Sequence, residues 1–350
     1  MVCMSIRPPH SGEIHTTDTS TKQAGAIRWR NAVLFLSILL HFLLASPALS
    51  AEPLRLSVSL TPLSLPIYVA ESRGYFSDEG LPLTITDVIG GHRSLQQVLD
   101  GRADLATCSE AVVMFNSFLH RDFAVIATFV TSDDDEKLIV GSKSGITHPQ
   151  QLAGKRIGTV VGAAAHYYLD TMLLLNGVDP KSVHLQDIQP ETMAEALRQG
   201  ELDALAIWEP YPFKILEAVP GASVLPKSGA YVETFNLIAH GKLRGTRDGD
   251  LTKLLRALDK AQNFIRTEPL KAQAILRERL HVDQAFIRWI WPRNNYRLSL
   301  AQSLLTTLEG EARWARQEGY VKSERAPNYL DFIYAKPLAN ANPAAVSIGE

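Results

Sequence analysis

Cysteine is nearly missing from this 350-residue chain, which has two, Cys3 and Cys108. Cys3 lies ahead of an apolar segment that reads as a removable leader. One thiol then remains, and it cannot form an internal disulfide, a four-cysteine zinc site or a cysteine-rich iron motif. No cysteine follows the apolar segment in a place that could carry a lipid anchor. An excess of one charge is also lacking. The formal net charge is −2, so the basic footprint that a nucleic-acid partner requires is absent. After Ala51 no apolar run is long enough to span a bilayer.

Catalytic signatures are missing as well. Gly141-Ser142-Lys143-Ser144-Gly145 places lysine where a nucleophile elbow needs serine. There is no phosphate-binding glycine loop and no dinucleotide fingerprint after either first strand of the pattern described below. No H-E-x-x-H, C-x-x-C or i, i+4 histidine pair follows the leader, so no metal site and no cofactor is expected. The acidic run Asp133-Asp134-Asp135-Glu136 lacks the interleaved spacing and the glycine of a calcium loop. The run could bind a hard cation, and its place after the fourth strand of lobe one puts it near a cleft, but it reads as a solvated loop. These absences favour a binding protein over an enzyme.

What is present begins with a leader. Arg28 and Arg30 precede an apolar run, Ala32 to Ala45, which gives way to Ser46-Pro47-Ala48-Leu49-Ser50-Ala51. A basic flank, a short apolar stretch and small residues form a secretory signal over 1–50, with cleavage after Ser50. As a helix the run rises ~21 Å, short of a bilayer core of roughly 30 Å. The expected location is therefore periplasmic. An uncleaved segment would instead anchor the chain at a membrane.

The remainder alternates strand and helix patterns, and the same unit occurs twice. Leu54 to Ser59 alternates with period two; a helix from Ile67 to Arg73 stops at Gly74, a strand covers Leu81 to Ile89, and Ser94 caps a helix through Leu99. Gly101-Arg102-Ala103-Asp104-Leu105-Ala106 then opens a third strand. In the second half Arg156 to Val160 is a strand, Ala163 to Leu175 a helix, Val183 to Ile188 a strand and Glu191 to Gln199 a helix. Gly200-Glu201-Leu202-Asp203-Ala204-Leu205-Ala206 repeats the earlier phrase at the same place in the order. Each unit implies right-handed crossovers and a mostly parallel sheet. The fold class is α/β, with two similar lobes and a ligand cleft between them. From Asp248 onward the pattern is helical. Trp289, Trp291 and Tyr296 read as packing for that helical layer, and residues 339–350 as a disordered tail.

Four phrases carry a family resemblance. Pro66-Ile67-Tyr68-Val69-Ala70 through Gly74-Tyr75-Phe76 to Glu79-Gly80-Leu81, the Gly-x-x-Asp-Leu-Ala phrase, Leu152-Ala153-Gly154-Lys155-Arg156-Ile157 and Trp208-Glu209-Pro210-Tyr211 stand in order. Together they resemble the nitrate/sulfonate/taurine and thiamine-pyrimidine-precursor periplasmic binding proteins of ABC importers. The resemblance implies a type II periplasmic-binding fold with crossings near Glu136 to Val140 and Thr234 to Ile238. Lobe one would be 51–137 plus about 237–338, and lobe two 138–236. It further implies a small-molecule ligand, permease and ATPase partners, and a monomer. Two alternatives share the pattern: a membrane-anchored ligand sensor, and a pyrimidine-synthase-like enzyme whose cysteine-rich motif Cys108 alone cannot supply.

The expected ligand contacts are Ser64, Ser109 and Glu110 from lobe one, and Gly162, His166, Trp208 and Glu209 from lobe two. All lie at strand ends or in turns that feed helices, where free N–H groups favour an anion. Gly162 to Tyr167 also resembles the G-S/T-x-x-H-Y segment of sulfonate and taurine binders, although Ala163 removes the hydroxyl. His166, near its ordinary pKa of about 6.5, would assist an anion only when protonated. Glu110 and Glu209, facing each other, would instead suit an amine or a pyrimidine.

Overall fold

A computed structural model describes residues 52–227, 231–291 and 293–349. The expected leader and its cleavage site lie outside the described residues. Eleven strands follow in chain order: β1 Leu54–Ser59, β2 Leu83–Val88, β3 Leu105–Ser109, β4 Phe123–Ser132, β5 Glu136–Val140, β6 Arg156–Thr159, β7 His184–Asp187, β8 Ala204–Trp208, β9 Ser223–Val224, β10 Glu233–His240 and β11 Asn294–Asn295. They form a six-stranded sheet, β11-β4-β10-β3-β1-β2, and a five-stranded sheet, β7-β6-β8-β5-β9.

The parallel part of each sheet is the repeated unit. β1 pairs with β2 and β3, and β6 pairs with β7 and β8, all parallel. Both sheets are nevertheless mixed, because strands that pass from one sheet to the other enter without a helical crossover and run antiparallel. β10 lies antiparallel between β3 and β4, and β5 lies antiparallel between β8 and β9. The chain changes sheets between Ser132 and Glu136 and between Val224 and Glu233, so the stretches expected as crossings are themselves the strands β5 and β10.

The shared aspartate of the two phrases has a structural reason. Asp104 accepts hydrogen bonds from the Arg55 backbone N–H at 3.1 Å and from its guanidinium at 3.0 Å. Asp203 does the same for Arg156, at 2.9 Å from the backbone and 2.9–3.1 Å from the guanidinium. In each sheet the residue just before the third strand therefore clamps the first strand in register, with the two-pronged geometry at which arginine excels.

Each sheet has its own apolar core. Helix Ala164–Leu175 packs on the second with Ala165, Leu169, Met172 and Leu173 buried, the spacing of one helical face. Helix Gly91–Leu99 starts earlier than its expected cap, and Ser94 is an interior, buried residue. Its hydroxyl donates to the Ser57 carbonyl at 2.8 Å and accepts from the Thr107 N–H at 3.1 Å, tying the helix to two strands. Gly91 is required there, since a Cβ would lie 2.8 Å from the Cα of Cys108. Residues 339–350, expected as a disordered tail, are instead packed as far as they are described. Helix Lys336–Ala341 buries Leu338, and the Ser347 N–H donates to the Leu300 carbonyl at 2.9 Å. Apolar residues spaced through the alanine-rich stretch supply the anchors that its composition obscured. Among the described residues no helix is long and apolar enough to cross a membrane.

Candidate functional site

The C-terminal ends of β1, β3 and β8 converge on one small cavity of about 20 Å³. Ser59, Thr61 and Ser109 wall it from the first sheet, and Ala163 and Trp208 from the second. Asp135, Glu136 and Glu233, where the chain leaves each crossing and enters β5 or β10, complete the lining. That volume accommodates about one water-sized group. A larger groove of about 870 Å³ is lined by sequence neighbours of these residues. Gly91, Val112 and Ala163 border the cavity, whereas their neighbours His92, Phe115 and Gly162 border the groove. His92 lines the groove, with its ring 6.1 Å from that of Trp208, which lines the cavity.

The structure divides the expected contacts. Ser109 and Trp208 line the cavity, and Trp208 is buried with its Nε1 unpartnered. Gly162 borders the groove instead, with φ +86°, a left-handed turn that glycine adopts without strain. Ser64 lies behind the wall, fully buried, its hydroxyl donating to the Ser59 carbonyl at 2.7 Å.

His166 turns away. Its ring lies among Phe115, Trp314 and Tyr320, at 6.1, 5.3 and 4.3 Å between centroids. Burial pushes its pKa down to about 4, so it is neutral at neutral pH and supplies no cation. The aromatic partners come from distant segments, which explains why the local motif misplaces it.

Glu110 and Glu209 do not face each other. Glu110 accepts from the Tyr231 hydroxyl at 2.7 Å, the Thr234 N–H at 2.7 Å and the Thr234 hydroxyl at 3.0 Å. Burial raises it to about 7 against those donors. Glu209 accepts from Trp289 Nε1 at 2.6 Å and lies 3.4 Å from Lys137 Nζ. Its pKa is raised by burial and opposed by Lys137. Trp289, read from sequence as packing, thus fixes the Trp208-Glu209 turn through a hydrogen bond.

Three lining residues were not among the expected contacts: Asp135 and Glu136 of the acidic run, and Glu233 at the start of β10. Asp133 is exposed, but Asp135 and Glu136 are each only 4% exposed, and Glu233 only 3%. One carboxylate oxygen from each of Asp135, Glu136 and Glu233 lies within 4.8 Å of the others. Glu136 Oε1 and Glu233 Oε2 have no hydrogen-bond partner. Burial first, then repulsion from Glu110, raises Glu136 to about 8, and burial with neighbouring carboxylates pushes Asp135 and Glu233 well up. Lys137 is turned toward Asp134 and Glu209, at 3.3 and 3.4 Å. A usable signal existed: the run leads directly into Leu138-Ile139-Val140, a strand buried on both faces.

Comparison with known proteins agrees with this architecture. The alkanesulfonate-binding protein SsuA from Xanthomonas axonopodis pv. citri superposes with a TM-score of 0.71 at 17% identity, covering 81% of this chain and 98% of that one. The desulfurization enzyme DSZB superposes at 0.59 with 16% identity, covering 83% and 99%. At such identities the likeness establishes the fold, the two-lobed type II periplasmic-binding architecture. A putative aliphatic sulfonates-binding protein of Bacillus subtilis is 24% identical over 56% of this chain and 60% of its own length. The taurine-binding periplasmic protein of Escherichia coli is 23% identical over 48% and 52%. The chain thus spans little more than half the length of these relatives. Residues 61–272 match the NMT1/THI5-like family, and the chain belongs to that family.

Proposed function

We propose that this chain is the extracytoplasmic solute-binding component of an ABC-type importer. Lobe one, 51–137 with about 237–338, would close with lobe two, 138–236, on a small polar organic solute. The observation that carries this reading is the cavity, lined by strand ends of both sheets and by residues where the chain enters β5 and β10. A cavity of water size cannot admit an organic solute unless the lobes part, so opening and closing belong to the function. The relatives support a solute of sulfonate, taurine or related type, delivered to permease and ATPase partners in the periplasm.

A binding role is also favoured over thiol chemistry. Cys108 is fully buried, and burial pushes its thiol far up, away from the thiolate a nucleophile needs. The test is a thermal-shift screen of sulfonates, nitrate, pyrimidines and amines, followed by X-ray scattering with the best stabiliser. Contraction on binding supports the reading. Solute turnover, or no response to any small solute, contradicts it.

A further inference from the structure

The acidic lining of the cavity is built for the opposite charge from the one a sulfonate brings. A sulfonate presents only acceptor oxygens, and Asp135, Glu136 and Glu233 present only acceptors when ionised. A primary ammonium carries three N–H donors and no acceptor, so three acceptor oxygens gathered at one place suit it. The three carboxylate oxygens lie within 4.8 Å of one another. Glu136 and Glu233 also each keep an unpartnered buried oxygen, so this lining is equipped to accept from a donor. The cavity has room for one water-sized head. The groove beyond it is rimmed by Phe115, Tyr320, Leu119 and Val161, the last two 81% and 41% exposed.

We propose that the solute selected here carries a primary ammonium head on an apolar body, the head held by Asp135, Glu136 and Glu233 and the body lying in the outer groove. This rests on the solute-binding reading above, but assigns a cationic head where the relatives' names point to a sulfonate. The head replaces protons that the crowded carboxylates otherwise retain, so binding strengthens as pH rises toward about 8, where Glu136 ionises. Glu110, Glu209, Asp134 and Lys137 also act on this cluster, as do Tyr231 and, from helix Gln302–Gln317, the buried Glu311.

The experiment is titration calorimetry of the full chain with methylammonium, phenethylammonium, octanesulfonate, calcium and zinc. Phenethylammonium should bind at least about tenfold more tightly than methylammonium, since its additional apolar surface enters the groove. Glu136→Gln and Glu233→Gln should each weaken it by about ten- to a hundredfold, with melting temperatures no lower than the parent's. Octanesulfonate binding without ammonium binding overturns the head-group assignment and leaves the solute-binding reading intact. Binding of the metals alone overturns it in favour of a cation site, and so does failure of both ammonium ions at about 10 mM. If, in addition, no solute of either charge binds or contracts the protein, the solute-binding reading falls as well.

Discussion

Arg93 and Glu191 join the two halves of the repeat across the mouth of the cleft. The guanidinium on helix Gly91–Leu99 reaches the carboxylate on helix Pro190–Gln199 at 2.5 Å and Gln189 Oε1 at 2.7 Å. Both partners are partly exposed, so the pair is worth no more than about 1 kcal/mol. Arg93→Ala should leave the melting temperature within a few degrees of the parent. It should shift the lobes toward the open form by up to about fivefold, seen as a broader interlobe distance distribution between spin labels. An unchanged distribution would show that the pair does not govern closure.

The buried carboxylates make a pH prediction. Glu136 is raised from 4.5 to about 8 and Glu110 from 4.5 to about 7. A group whose pKa is higher folded than unfolded stabilises fully below its unfolded value and loses that contribution as pH rises through the folded value. Unliganded stability should therefore fall between about pH 4.5 and about 8. The decline should be shallower in Glu136→Gln, measured by denaturant titration at several pH values. Parallel curves for parent and variant would contradict the assignment.

His166 gives the opposite slope. Its folded pKa of about 4 lies below the ordinary 6.5, so the unfolded chain binds the proton first and stability falls as pH drops from 6.5 toward 4. Proton NMR of the imidazole should show no titration above about pH 5.5. Solute affinity should owe nothing to His166 protonation. A titration near 6.5 would place the ring in solvent and return it to the ligand side.

The Asp104 clamp predicts acid sensitivity. Burial works against its charge, and Arg55 and Lys242 outweigh that, holding its pKa below the ordinary 3.8. Its contribution is present above that value and is lost as pH falls below it. Because Arg55 is partly exposed, Asp104→Asn should cost only about 1–2 kcal/mol at neutral pH, with the difference from the parent shrinking in acid. A variant as stable as the parent at neutral pH would mean that strand pairing alone sets this register.

Much of this was legible before the structure. The repeated Gly-x-x-Asp phrase marked both third strands because its aspartate has a fixed partner, Arg55 or Arg156, at the start of each first strand. The placing of Trp208 and Ser109 at strand ends was legible, and both line the small cavity. Side-chain direction was not. Glu110 and Glu209 follow immediately after those two residues, yet each turns to a partner from a distant segment, Tyr231 or Trp289. The acidic run was hidden by its composition: four acids in a row look solvated, but the last two enter the wall of a buried strand. Only tertiary packing decides such cases.

The central claim is that both halves of the repeat form one solute cleft around Trp208. The most direct measurement is the affinity of Trp208→Ala, by titration calorimetry, for the solute that most stabilises the parent. The account predicts a loss of more than about tenfold with the circular dichroism spectrum and two-state melting retained. Affinity equal to the parent's, with the fold intact, would make Trp208 a packing residue and place the site elsewhere.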